Sequence, residues 1–169
     1  MICHAIALIG MPAAGKSTVG RLLAERLAWR FVDTDRLIEQ RCGQTLQQLL
    51  DAEGYLALRS AEEEAILSLS CAKTIVATGG SAVYSAAAMA HLQSHATLVY
   101  LSVSEPQLAE RLGDWSERGI AAPPDCTLAQ LYAERSALYR RYADHCIDCT
   151  SLSPAATVDA VVACQPSAS

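Results

Sequence analysis

The chain is expected to be an α/β protein, a parallel sheet covered by helices on both faces. Two observations carry that expectation. Short apolar runs alternate with segments of helical periodicity along the sequence, the pattern of successive strand–helix–strand crossovers. The first apolar run, Ala5-Ile6-Ala7-Leu8-Ile9, is continuous rather than alternating, as in a strand buried on both faces.

The elements follow in order. Gly10 closes the first strand, and after a loop the apolar residues Val19, Leu22, Leu23 and Leu27 recur at helical spacing, predicting a helix over 18–27. Phe31-Val32 reads as a second short strand that ends at Asp33-Thr34-Asp35. Helical periodicity resumes over 36–42 and 45–50, and the Leu-, Ala- and Glu-rich stretch 56–69 predicts a long helix. Thr74-Ile75-Val76-Ala77 is a strand that stops at Gly79-Gly80. A helix over 85–93, a strand Thr97-Leu98-Val99-Tyr100-Leu101 and a helix over 105–112 come next. Residues 113–125 break the pattern with two glycines, paired prolines and mixed charges, so a mobile lid of about 113–126 is expected there. A helix over 128–142, a last strand at Cys146-Ile147-Asp148 and a closing helix over 155–163 complete the chain. No repeat or low-complexity segment interrupts it, and 169 residues suit one domain.

Composition removes several function classes. A hydrophobic share of 51% suits a packed core rather than a disordered chain. The net charge of −5 supplies no basic field for nucleic acid, so the arginines must be read locally. No apolar run approaches the ~20 residues of a membrane-spanning helix. The opening MICHAIALIG lacks a basic n-region and runs straight into a loop with chemistry of its own, so a removable signal is not expected. A cytoplasmic protein follows. The seven cysteines (Cys3, Cys42, Cys71, Cys126, Cys146, Cys149 and Cys164) are odd in number and scattered, which argues against a disulfide framework. Cys146-x-x-Cys149 has zinc or redox spacing but no second pair; packed thiols at the end of a late strand are expected.

The loop after the first strand carries the chemistry. Gly10-Met-Pro-Ala-Ala-Gly15-Lys16-Ser17 matches G-x-x-x-x-G-K-[ST] in full, between an apolar strand and an amphipathic helix. Glycines let successive backbone N–H groups turn inward around phosphates, and the following helix points its positive end at them. Gly10, Ala13, Ala14, Gly15, Lys16, Ser17 and Thr18 are therefore candidate contacts to ATP. Lys16 would bridge the β- and γ-phosphates, and the Ser17 hydroxyl would hold Mg²⁺. The guanine-reading N-K-x-D motif is absent from the sequence, which favours a kinase over a GTPase.

A second substrate would bind at the carboxyl edge of the sheet, where ligands meet open parallel sheets. Asp33 and Asp35 follow the second strand, and Gly79-Gly80 follows the third. A carboxylate there can orient a hydroxyl or accept its proton, and arginines can grip a substrate carboxylate. Each feature has a plainer alternative. Asp33 or Asp35 could cap the next helix, Arg59 and Glu62 could be a surface pair, Gly79-Gly80 could be only a turn, and Arg135 beside Glu134 could face solvent.

The order of these pieces resembles the shikimate kinase family. The matching segments are GMPAAGKSTVGRLLAERL, FVDTDRLIEQRCGQTLQQLLDAEG, LRSAEEEAI, IVATGGSAV and AERSALYRRYAD, together most of the chain. The resemblance implies a three-layer, nucleoside-monophosphate-kinase-like P-loop fold with a five-stranded parallel sheet. It implies ATP-dependent phosphorylation of shikimate. Asp35 then matches the carboxylate that holds the shikimate hydroxyls and serves as candidate base. Arg59 and Arg135 match the pair on the shikimate carboxylate, with Gly79 and Gly80 beside the substrate. Asp33 matches the residue that reaches Mg²⁺ through water, and Arg111 and Arg118 match the adenine-side and lid arginines. Departures are visible: Gly79-Gly80-Ser81 stands for three glycines, and Arg118-Gly119-Ile120-Ala121-Ala122 for a lid with proline and two leucines. Arg135-Ser136-Ala137-Leu138 lacks the usual proline, and the late loop at 149–154 lacks an arginine. Ser81 would add a hydroxyl beside the substrate. Two other readings stay open, a kinase for gluconate or a related sugar acid and a nucleotide-binding regulatory module without catalysis. A monomer acting on a small molecule is expected, since no heptad stripe marks an interface.

Overall fold

In the computed structural model, residues 5–164 are described. Five strands, β1 (Ala5–Ile9), β2 (Arg30–Asp33), β3 (Thr74–Ala77), β4 (Ala96–Ser102) and β5 (His145–Asp148), form one parallel sheet in the order β2-β3-β1-β4-β5. Eight helices connect and cover them: α1 (Lys16–Leu27), α2 (Thr34–Cys42), α3 (Leu46–Glu53), α4 (Tyr55–Leu67), α5 (Ala86–His95), α6 (Glu105–Leu112), α7 (Leu128–Tyr142) and α8 (Pro154–Ala163). The central strand β1 places Ile6 against Ile75 of β3 on one side and Thr97 of β4 on the other. All five of its side chains are fully buried. Because neighbouring side chains of a strand point to opposite faces, both faces of the sheet are covered.

The core follows from this layering. Leu23 and Val19 of α1, Ile66 of α4, Met89 and Leu92 of α5, Tyr139 of α7 and Val161 of α8 pack on the strands. A smaller cluster of Ile38, Leu49, Leu58, Ala65 and Ala121 lies among α2, α3 and α4. Ala121 belongs to the irregular segment between α6 and α7. The expected lid is thus irregular, but its second half is docked: Ile120 and Ala121 are buried, and the Gly119 N–H donates to Gln47 Oε1 at 2.7 Å.

Periodicity alone misplaces several helix starts, and each difference has a capping cause. α1 begins at Lys16, two residues before 18, because Gly15 in the left-handed region (φ 95°) turns the loop into the helix. α2 begins at Thr34 because Asp33 caps it, accepting from the N–H groups of Asp35 and Arg36. Thr45 and Gln48 form a capping box for α3, and Gly54 alone separates α3 from α4. A short 3-10 turn, Ala82–Tyr84, is not visible in the periodicity.

The cysteine expectation holds for one residue of the pair. Cys149 is buried, but Cys146 is exposed on the sheet-edge strand β5, so the two are not packed together as a unit. Among the described residues no cluster of three or more His, Cys, Asp or Glu is placed to hold a metal. The expectation for Cys3 lies outside the described residues. No helix among them is long and apolar enough to cross a membrane.

Candidate active site

The loop between β1 and α1 brings Lys16 and Ser17 into the first helical turn at the carboxyl edge of the central strand. Lys16 is 8% exposed. Its Nζ donates to the carbonyls of Gly10 and Met11, both at 2.7 Å. Burial lowers the ammonium to about 8, against the pull of Asp35 and Glu62. A cation held partly against its desolvation is ready to gain from an arriving polyanion. The Ser17 hydroxyl donates to Asp33 Oδ2 at 2.6 Å. Asp33 therefore does both things the sequence left open: one oxygen caps α2 and the other faces the phosphate loop. A hydroxyl beside a carboxylate is an all-oxygen donor set, and it suits a hard cation such as Mg²⁺.

The end of β3 lies next to this loop. Thr78 Oγ1 donates to the Leu8 carbonyl of β1, and the Gly79 N–H donates to Thr34 Oγ1. A Cβ on Gly79 would run into Asp35 Oδ1 and Glu62 Oε1, so the tight approach of two carboxylates to the backbone requires glycine there. Burial, then the neighbouring Asp33, raises Asp35 to about 6. Burial, then Asp35, raises Glu62 to about 7.

Glu62 departs from what its i, i+3 spacing to Arg59 suggests. It is not a surface partner of Arg59 but is 3% exposed and turned into the site. The signal was present: Leu58, Glu62, Ala65 and Ile66 are the buried positions of α4, and Glu62 lies on that apolar stripe. Ser81 donates its hydroxyl to Glu62 Oε2. The extra hydroxyl at the third position of Gly79-Gly80-Ser81 is thus committed to Glu62. Glu62 Oε1 is buried and has no hydrogen-bond partner among the described residues.

Arg135 is 1% exposed, which removes the solvated-face alternative. Its Nη2 donates to the Ala121 carbonyl at 2.8 Å, and its Nε donates to the Tyr84 hydroxyl at 3.4 Å. Arg59, half-buried on α4, sends Nη2 to the same Ala121 carbonyl at 3.4 Å. The two guanidinium groups so converge on one oxygen. Arg111 and Arg118 are exposed: Arg111 donates to the Ala13 carbonyl of the phosphate loop and Arg118 to the Arg111 carbonyl. Tyr139 donates to the Gly80 carbonyl at 2.6 Å and fixes that turn.

A cavity of about 440 Å³ joins these groups. Lys16, Ser17, Thr18, Ala13 and Gly15 line it from the loop, and Asp35, Glu62, Gly79, Gly80, Ser81 and Arg135 from the other side. Arg118 lines it as well. Of the sequence-derived candidates, Gly10, Ala14, Asp33, Arg59 and Arg111 are not on its wall; Arg59 stands behind Ala121.

The carboxylates set a pH dependence of stability. Glu62 has a folded-state pKa of about 7 against an ordinary 4.5. Between these values the folded protein holds a proton that the unfolded chain releases. The stabilisation is complete below 4.5 and lost as pH rises through about 7. In nucleotide- and metal-free protein, unfolding free energy measured in urea should fall by on the order of 2 kcal/mol from pH 5 to pH 8 through this group. Glu62→Gln should flatten that fall; an equally steep fall in the variant would contradict the assignment.

A protein-family model described as shikimate kinase matches residues 12–165. The chain is 35% identical over 164 residues to shikimate kinase 2 of Yersinia pestis, covering 93% of this chain and 92% of that one. It is 38% identical over 162 residues to the shikimate kinase of Mycobacterium avium, covering 94% and 92% of the two chains. Among solved structures, the Acinetobacter baumannii shikimate kinase in complex with shikimate superposes with a TM-score of 0.84 at 28% identity, covering 96% of this chain and 92% of that one. With the parallel five-stranded sheet, the phosphate loop and the arginine-lined cavity already in place, these matches show that the chain belongs to the shikimate kinase family.

Proposed function

We propose that this protein transfers the γ-phosphoryl group of ATP to the 3-hydroxyl of shikimate, giving shikimate 3-phosphate. The observation that carries the reading is that one cavity is lined by Lys16, Asp35 and the buried Arg135. These supply a phosphate cation, a candidate base and a carboxylate cation within reach of one small acid. The loop N–H groups and Lys16 hold the phosphates; Asp35 orients the attacking hydroxyl and takes its proton. Arg135 and Arg59 grip the shikimate carboxylate at the place now taken by the Ala121 carbonyl, with Gly79 and Gly80 along the ring. Arg118 closes over the transferring group, and Arg111 flanks the nucleotide side. Ser17, with Asp33 through water, would hold Mg²⁺, whose charge offsets that of the phosphates. A cytoplasmic monomer completes the proposal; the six described cysteines are all free, as in a reducing compartment.

The test is ADP release from ATP-Mg²⁺ with shikimate, gluconate or no acceptor. Turnover on shikimate above the other two supports the proposal. Turnover on gluconate moves the protein to a sugar-acid kinase, and binding of ATP without turnover on either points to a regulatory module. Within the same assay Arg59→Ala should raise the shikimate KM roughly thirtyfold, the low end of the ~2–5 kcal/mol for truncating a buried charge partner, because Arg59 is only half-buried. An unchanged KM would remove Arg59 from the acceptor site.

A further inference from the structure

Arg59 and Arg135 come from different helices, carry the same charge and point at one oxygen, so something must hold them together. Among the described residues neither makes an ion pair; the recorded pair is Arg26 with Asp159, at the surface. The acid nearest Arg59 in sequence on its helix face, Glu62, is engaged by Ser81 instead. The common neighbour of the two guanidiniums is Tyr84, at the end of the 3-10 turn that follows Gly79-Gly80-Ser81. Arg59 Cζ lies 3.6 Å from the centre of its ring and Arg135 Cζ lies 5.4 Å from it. The Tyr84 hydroxyl accepts from Arg135 Nε at 3.4 Å.

We infer that Tyr84 is a positioning residue that holds Arg59 by its ring face and Arg135 by its hydroxyl as one carboxylate-binding pair. The inference rests on the proposed acceptor chemistry and deepens it. A tyrosine suits this task where an acid would not. An aromatic face attracts a guanidinium through its quadrupole but carries no net charge, so Arg59 keeps its full attraction for an incoming carboxylate. An Asp or Glu in the same place would neutralise the pair and have to be displaced. Long arginine side chains also lose rotamer freedom on binding, and a group that fixes them beforehand lowers that loss. The orphaned Arg59 Nε, buried and without a hydrogen-bond partner among the described residues, leaves a donor free on the same guanidinium. Tyr55 lies 5.0 Å from Arg59 and gives weaker support.

The experiment uses the full chain with Tyr84→Leu, Tyr84→Phe and Arg59→Ala, alone and with Tyr84→Leu. Tyr84→Leu should raise the shikimate KM roughly tenfold, with the ATP KM unchanged. Tyr84→Phe keeps the ring face under Arg59 but loses the hydroxyl on Arg135, and should fall between wild type and Tyr84→Leu. In the Arg59→Ala background Tyr84→Leu should cost clearly less than in wild type, because only the hydroxyl contact to Arg135 is then lost. An undiminished rise of roughly tenfold there would overturn the ring-face part of the inference. Arginine Nε–H NMR without any acceptor should show one resonance shifted upfield by the ring in wild type and restored towards its ordinary position in Tyr84→Leu. Unchanged shikimate KM in Tyr84→Leu overturns the inference, as does a parallel rise of both KM values with a lowered Tm, the mark of a merely structural role. If wild type does not phosphorylate shikimate, the acceptor reading falls, and the acceptor-free NMR still decides the role of Tyr84: a resonance indifferent to Tyr84→Leu overturns it.

Discussion

Lys16→Met is expected to reduce phosphoryl transfer by about 10²–10³-fold while the protein stays folded. The loss follows from position. Lys16 is the cation on the wall of the cavity at the phosphate loop, and the methionine thioether offers no charge to the bridging oxygens. The survival of the fold follows from its energetics. In the protein alone, Lys16 satisfies only the Gly10 and Met11 carbonyls, and burial pulls its pKa from 10.5 to about 8. A charge that burial disfavours is poor glue, so its replacement by an apolar chain of similar length relieves desolvation as it removes two hydrogen bonds. The melting temperature should stay within a few degrees of wild type. The sign of the pH dependence offers a second check. Between pH 8 and 10.5 the unfolded chain binds a proton that the folded protein does not, so Lys16 makes wild-type stability rise with pH across that window. Lys16→Met should lack that component. Turnover within tenfold of wild type would remove Lys16 from the chemistry, and a collapsed melt would show that the loop needs the lysine to fold.

The parts legible in the sequence are those whose chemistry is local. The continuous apolar run at 5–9 and the G-x-x-x-x-G-K-S spacing can be read from adjacent residues, because strand burial and phosphate cradling are set by neighbours in the chain. The resemblance to shikimate kinases extended this reading to Asp35 and the arginines, and the structure gathers Lys16, Asp35, Gly79, Gly80 and Arg135 at one cavity. What escaped the sequence depends on contacts between distant elements. Glu62 looked like half of an i, i+3 surface pair until Ser81, nineteen residues on, took its carboxylate. Tyr84 ends a three-residue turn with no periodicity, and its partners lie on α4 and α7. Cys146 and Cys149 look equivalent in sequence, yet alternation along β5 and the turn after it exposes one and buries the other. The Ser81 departure is informative in the same way: its hydroxyl has a partner in Glu62, so the altered glycine motif and the single acid on the apolar stripe of α4 are one arrangement.

Asp35→Asn should lower kcat by about 10²–10⁴-fold, the range for removing a general base, with a much smaller effect on the ATP KM. Asparagine keeps the size of the side chain and most of its hydrogen-bonding capacity, so the variant separates orientation of the hydroxyl from acceptance of its proton. The surroundings of Asp35 favour the second task. Burial and the adjacent Asp33 raise it to about 6, against the pull of Lys16. A carboxylate at that value is mostly ionised near neutrality, yet more basic than an ordinary aspartate. The kcat/KM of wild type should therefore rise with pH through about 6 as the free enzyme loses this proton. In Asp35→Asn that acid limb should disappear, leaving a low and flat profile. A variant that keeps both the limb and a tenth or more of wild-type kcat would show that the proton leaves by another route, with Glu62 as the neighbouring carboxylate to replace next. Glu62 shares the backbone of Gly79 with Asp35, but Ser81 holds one of its oxygens. That difference is why Asp35, and not Glu62, is assigned the proton.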